Sequence, residues 1–186
     1  LKILKVARNK LYLESNLEEQ EIVDVSPEII SEMDLNRKKE LSREEYRRVI
    51  YLASLAKSIF LLSRRDYSRK EMLGKLRMKF REYGIVEEVV EKLVDRGYIN
   101  DLDYARALIE RSRESRRKLE YQLSMKGIGR EVIAEAFGEA DHDERDELRK
   151  QLKKVAKREK DKQIAYLMRK GFRYEDIREV MREIEE

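Results

Sequence analysis

The sequence predicts a mainly α protein: an elongated array of three tandem three-helix repeats, preceded by a small N-terminal β-strand or hairpin region. Three observations carry this expectation. The 186 residues hold one proline and seven glycines, so helix breaks are few. From Ser42 onward apolar residues recur three and four apart. Three Gly–apolar pairs, Gly84-Ile85, Gly127-Ile128 and Gly171-Phe172, stand 43 and 44 residues apart. Each follows a helical stretch, where Gly suits the left-handed position that ends a helix and the next apolar residue folds back on the last turn. With 41% apolar and 44% charged residues, cores can form but are thin, which suits an array better than one thick globule.

The elements follow in chain order. Residues 1–41 form an N-terminal region. Leu1 to Val6 partly alternates, Leu11-Tyr12-Leu13 follows a polar turn at Arg8-Asn9-Lys10, and Glu21 to Val25 alternates again. These read as two or three short strands. They leave open whether the pairing is internal or with a second copy, so the expected monomer has a dimer through these strands as its alternative. Ser26-Pro27-Glu28 has the order of a helix start, and the short helix ends near Met33. Asn36 to Lys39 reads as a linker.

Repeat 1 is expected over 42–97, repeat 2 over 98–140 and repeat 3 over 141–186. The helices are expected near 43–63, 68–83 and 86–96, then 101–114, 117–126 and 130–139, then 143–159, 161–170 and 174–185. The first carries two apolar stripes: Tyr46, Val49, Ile50, Ala53 and Phe60, then Leu52, Leu55, Ile59 and Leu62. A helix apolar on two sides is expected to be buried on two sides. Leu76/Phe80, Leu119/Leu123 and Leu167 occupy matching core positions before the glycines, and Val90, Ile133 and Ile177 match after them. Asn100 with Asp103 opens the fourth helix in a capping-box-like arrangement.

The net charge of +4 conceals an uneven distribution. Residues 42–97 carry +5, and the run from Arg64 to Arg81 alone carries +6. On a helical wheel over 68–83, Lys70, Arg77 and Arg81 share one flank, Lys75 and Lys79 the other, and Met72, Leu73, Leu76, Phe80 and Tyr83 the core side. A second run is Arg111, Arg113, Arg116, Arg117 and Lys118 around Glu114. Lys150, Lys153, Lys154 and Lys157 make a third, on the helix after Asp143. Such runs suit polyanions or acidic protein surfaces, while the plain reading is a solvated helical face.

No catalytic chemistry is legible. There is no cysteine and one histidine, His142, which reads as an exposed linker residue in Asp141-His142-Asp143. Neither a phosphate-loop nor a nucleophile-elbow motif occurs, and paired acids such as Glu87-Glu88 fit first turns of helices. The longest uncharged stretch, Val49 to Ala56, is far short of the roughly 20 residues of a membrane span. No signal peptide is visible. The chain starts at Leu1 rather than Met, which leaves room for a short leader. A non-enzymatic, cytoplasmic protein with no metal and no cofactor is expected.

The segment Asp95 to Arg106, DRGYINDLDYAR, resembles the motif joining the first and second repeats of the RecX regulatory family. Arg116 to Ile128 resembles the next part of that family's second repeat, and Tyr67 to Leu76 its first repeat. One departure stands at Glu114-Ser115, where members often have Lys-Gly. The resemblance implies a regulator that binds RecA and its filament on single-stranded DNA, docks in the filament groove or caps its end, and inhibits ATP hydrolysis, strand exchange and coprotease activity. The candidate contact residues are Arg64, Arg65, Lys70, Arg77 and Arg81; Arg111, Arg113, Arg116, Arg117, Lys118 and Lys126; and Lys150, Lys153, Lys154 and Lys157. The alternatives are a general nucleic-acid-binding helical array, which the nearly neutral second repeat argues against, and a scaffold for another protein.

Overall fold

The computed structural model describes residues 1–14, 20–140 and 142–185. It forms two compact units, Leu1–Ile99 and Asn100–Glu186.

The first unit opens with a three-stranded antiparallel sheet in the order β1 (Lys2–Ala7), β2 (Lys10–Glu14), β3 (Gln20–Asp24). The first hairpin turns on Arg8 and Asn9, both at positive φ (52° and 60°), as a tight two-residue turn requires. Register places Leu11 opposite Val23 and Leu13 opposite Glu21. Period-2 alternation then puts Leu11, Leu13, Val23 and Val25 on one buried face. The strands pair within the chain. The segment expected to be a linker is tied to the outer edge of β1: the Ile3 N–H donates to Lys39 O and the Leu41 N–H to Leu1 O, both at 2.8 Å.

Helix α1 (Pro27–Glu32) starts at the Ser26 cap, and α2 (Arg43–Leu62) at a capping box. There the Glu45 N–H donates to Ser42 Oγ at 3.1 Å and the Ser42 N–H to Glu45 Oε2 at 2.8 Å. Tyr46, Val49, Ile50 and Ala53 carry the α2 core stripe onto the sheet. The rest of α2 departs from expectation. Phe60 is 50% exposed, Ile59 is 57% exposed, and Leu52, Leu55 and Leu62 are only partly buried. The second stripe therefore faces a groove rather than a second core.

Helices α3 (Arg69–Arg77) and α4 (Tyr83–Asp95) revise the expected 68–83 and 86–96. Helix α3 stops six residues early, which lets both Phe80 and Ile85 reach the same core. Lys79 and Arg81 lie in the turn and not on a helical flank, and Tyr83 is exposed at the start of α4 instead of facing the core. Gly84 sits in the first turn of α4. The left-handed glycine of this unit is Gly97 (φ 75°), where the Gly97 N–H donates to Val94 O and the Tyr98 N–H to Leu93 O.

The second unit holds α5 (Asp101–Arg111), α6 (Arg116–Met125) and α7 (Arg130–Glu139), then α8 (Glu144–Lys154), α9 (Lys160–Arg169) and α10 (Tyr174–Glu185). Gly127 (φ 81°) and Gly171 (φ 95°) end α6 and α9 as expected, with the N–H groups of Ile128 and Phe172 reaching back to the carbonyls of Leu123 and Leu167. Two helices are shorter than their patterns. Helix α5 ends at Arg111, and Ser115 caps α6 by accepting from the Lys118 N–H. Helix α8 ends at Lys154, and Gln163 Nε2 donates to the carbonyls of Ala156 (3.2 Å) and Arg158 (2.6 Å) in the turn beyond.

Each helix triplet has its own core, one around Ile109, Leu119, Leu123 and Ala136, the other around Leu148, Leu167, Phe172 and Ile177. Backbone and side-chain links join them: the Ser115 N–H donates to Lys170 O at 3.0 Å, and Lys118 Nζ to Arg169 O at 2.8 Å. Asp141 lies outside the described residues. His142 is half-buried rather than exposed, its ring 5.8 Å from that of Phe137.

Candidate partner-binding surfaces

The basic run of the first unit is less free than its count suggests. Arg65 lies over the Tyr67 ring at 3.7 Å and 3.6 Å from Glu71. Arg69 and Arg77 pair with Glu91 and Glu87 of α4, and Lys79 lies 3.6 Å from Asp24 of β3. The fold thus brings acids from other elements to a run that is strongly cationic in one dimension. Arg64 lies over the exposed Phe60 ring at 5.3 Å, while Lys70 and Arg81 are exposed.

In the second unit the candidates divide into two sets. Arg113 reaches across to Glu147 (3.4 Å), whose side chain is 7% exposed and also accepts from Gln151 Nε2 at 2.7 Å. Gln151 in turn accepts from the Tyr166 hydroxyl at 3.1 Å. A carboxylate this buried needs its partners, and Arg113 and Gln151 supply them. Arg116 pairs with Glu120 (2.8 Å) and covers the Phe137 ring at 4.5 Å. Lys118 lies 2.8 Å from Glu114, Lys126 covers the Tyr104 ring at 5.9 Å, and Lys150 lies 2.6 Å from Asp146. Asp143, the N-cap of α8, accepts from the backbone N–H groups of Asp146 and Arg145, and these donors hold its carboxyl below the usual carboxylate range.

Arg111, Arg117, Lys153, Lys154 and Lys157 form the other set. All are exposed and, among the described residues, make no ion pair. Lys157 lies in the turn after α8 rather than on that helix. Arg117 opens onto a cleft of about 420 Å³ between α6 and α7, beside Tyr121 (66% exposed) and Arg130. The sequence reading missed Tyr121 and Arg130. An aromatic four residues after Arg117 was the available signal.

A second surface was missed altogether. The exposed stripe of α2 and the facing side of α4 enclose a groove of about 580 Å³. Leu52, Leu55, Ile59 and Leu62 floor it, and Tyr51, Lys92, Arg96 and Tyr98 line it. The α4 side was read only as core, although Lys92 and Arg96, four apart, were visible.

Among the described residues, no group of three or more His, Cys, Asp or Glu is arranged to hold a metal, and no helix is long and apolar enough to cross a membrane.

Comparison with known proteins identifies the family. Residues 143–181 match the family model described as RecX, third three-helix domain. The regulatory protein RecX of Caldanaerobacter subterraneus subsp. tengcongensis is 30% identical over 77% of this chain and 78% of its own length. The chain belongs to the RecX family. The regulatory protein RecX of Listeria welshimeri is 28% identical over 81% of this chain, a match that spans 60% of that longer relative. The crystal structure of RecX from Lactobacillus salivarius superposes with a TM-score of 0.58 at 24% identity, covering 73% of this chain and 97% of that one. The superposition agrees with the mainly helical fold and its small N-terminal sheet.

Proposed function

We propose that this chain regulates RecA without chemistry of its own: it binds RecA and its filament on single-stranded DNA, in the groove or at the end, and inhibits ATP hydrolysis, strand exchange and coprotease activity. The RecX family membership carries this reading. The cations Arg64, Arg111, Arg117, Lys153, Lys154 and Lys157 support it, because they are exposed and, among the described residues, make no ion pair that would compete with DNA phosphates or acidic groove walls. Each exposed contact contributes about 0.5–1 kcal/mol, and the set acts collectively.

Titrating the protein into RecA hydrolysing ATP on single-stranded DNA tests the reading. Arrest well below one chain per RecA subunit indicates capping, arrest near equivalence indicates groove coverage, and unchanged hydrolysis refutes both. Charge reversal at Arg111 and Arg117 should weaken inhibition in a folded protein. Reversal at Arg113 should instead lower stability by about 1–3 kcal/mol, less than for a fully buried pair because Arg113 is half exposed. A helical array that only binds nucleic acid would bind DNA tightly without RecA and lose affinity steeply with salt.

A further inference from the structure

The groove between α2 and α4 has a composition that narrows what can fill it. Its floor, Leu52, Leu55, Ile59 and Leu62, runs along α2 for about 15 Å at helical rise. Ile59 is 57% exposed, and Tyr98 on the opposite wall is 65% exposed. Apolar surface left this open on one face, with a polar rim, marks an interaction site.

The rim carries three cations, Arg48, Lys92 and Arg96, and the groove is lined by no acid. Glu32, at 3.2 Å, compensates Arg48. Lys92 donates to the Tyr51 hydroxyl at 2.6 Å and lies 5.2 Å from the Tyr51 ring centre, which fixes its direction without neutralising it. Arg96 makes no ion pair among the described residues. Lys92 and Arg96, four apart on α4, therefore present along one wall two charges with no ion pair among the described residues.

Three occupants can be compared on this chemistry. A nucleic-acid strand would satisfy the rim, but its phosphates gain nothing from a floor of leucine and isoleucine. A second copy of the chain meeting face to face would oppose cations to cations. An amphipathic helix with apolar residues on one side and carboxylates on the other satisfies floor and rim together, in the helix-in-groove mode of recognition. We propose that the α2–α4 groove is a docking site for an acidic amphipathic helical segment of a partner protein. The site does not rest on the RecA reading, because none of its residues belongs to the basic set assigned there. Ile59 and its neighbours anchor the segment, and Lys92 and Arg96 set its orientation and select for negative charge.

The test uses the full chain and a labelled, designed peptide of about four helical turns, with leucine on one face and glutamate on the other. Fluorescence anisotropy should show saturable binding, and amide shifts in nuclear magnetic resonance should concentrate at residues 52–62 and 92–98. Lys92→Glu with Arg96→Glu should weaken binding about tenfold or more, the loss expected when opposed charges become like charges. Ile59→Asp should do the same, and since Ile59 is more than half exposed, this variant keeps its core; circular dichroism checks the fold of each. A peptide with lysine in place of glutamate should bind at least about tenfold more weakly. The proposal fails if binding is not saturable, or if the variants bind as tightly as the parent chain. It also fails if a poly-dT oligonucleotide displaces the peptide, or if light scattering shows a dimer that Ile59→Asp dissociates.

Discussion

Tyr46 shows how a single side chain ties the sheet to the helices. Its hydroxyl donates to Glu21 of β3, at 3.0 and 2.9 Å from the two carboxylate oxygens, from a ring buried against the sheet. Burial first, and then the charge of Glu21, hold its pKa well above the ordinary value near 10. The folded chain keeps this proton at a pH where the unfolded chain releases it. Its contribution to stability is therefore complete below about pH 10 and drains away as the pH climbs beyond that. Tyr46→Phe should lower stability at neutral pH by about 1–2 kcal/mol and flatten the alkaline decline, measured by urea unfolding at a series of pH values. Other residue-scale features were legible because they are local. The cap at Ser26 needs only a neighbour three residues away. Asn100 caps α5 through Leu102 and Asp103, although Asp103 accepts from the Asn100 amide rather than from backbone.

At the scale of elements, the glycines that end helices are not equivalent. Gly97 and Gly171 are both left-handed, at φ 75° and 95°. A Cβ on Gly97 would meet nothing within 4 Å, whereas one on Gly171 would lie 2.4 Å from Ser115 Oγ and 2.8 Å from Lys118 Cβ. Gly97→Ala should therefore cost only the left-handed penalty of about 1–2 kcal/mol. Gly171→Ala should cost about 1–3 kcal/mol more, because overpacking is added and the clash falls on the residue that caps α6. Urea midpoints of the two variants measure the difference. Helix ends were harder to anticipate than helix cores. The apolar pattern continues through Phe80 and Val155, and what stops α3 and α8 is that these residues turn inward to a core shared with other helices.

At the scale of the whole molecule, the second unit links two cores through polar contacts. Ser115 N–H to Lys170 O, Lys118 to Arg169 O and Arg113 to Glu147 all cross between its two triplets. Native-state hydrogen exchange should accordingly show that Gly171→Ala raises the opening of amides in α6 as well as in α9, and leaves the core of the first unit unchanged. Protection lost in α9 alone would mean that the triplets open independently. Charge also has to be judged at this scale. The +6 run from Arg64 to Arg81 is a property of the chain in one dimension. Folded, Glu87, Glu91 and Asp24 pair with three of its cations, Arg77, Arg69 and Lys79.

The mainly helical class, the helix triplets behind a small sheet, most helix starts, and the glycine turns at 127 and 171 follow from the order of residues alone. All of these rest on period, spacing and contacts a few residues apart. That Gly97 and not Gly84 takes the left-handed turn emerges only once the chain is folded. The same holds for the pairing of Arg113 with a buried carboxylate and for the groove that the second stripe of α2 borders. Those outcomes depend on which distant residues arrive beside each group, and neither burial nor charge compensation is a function of local sequence.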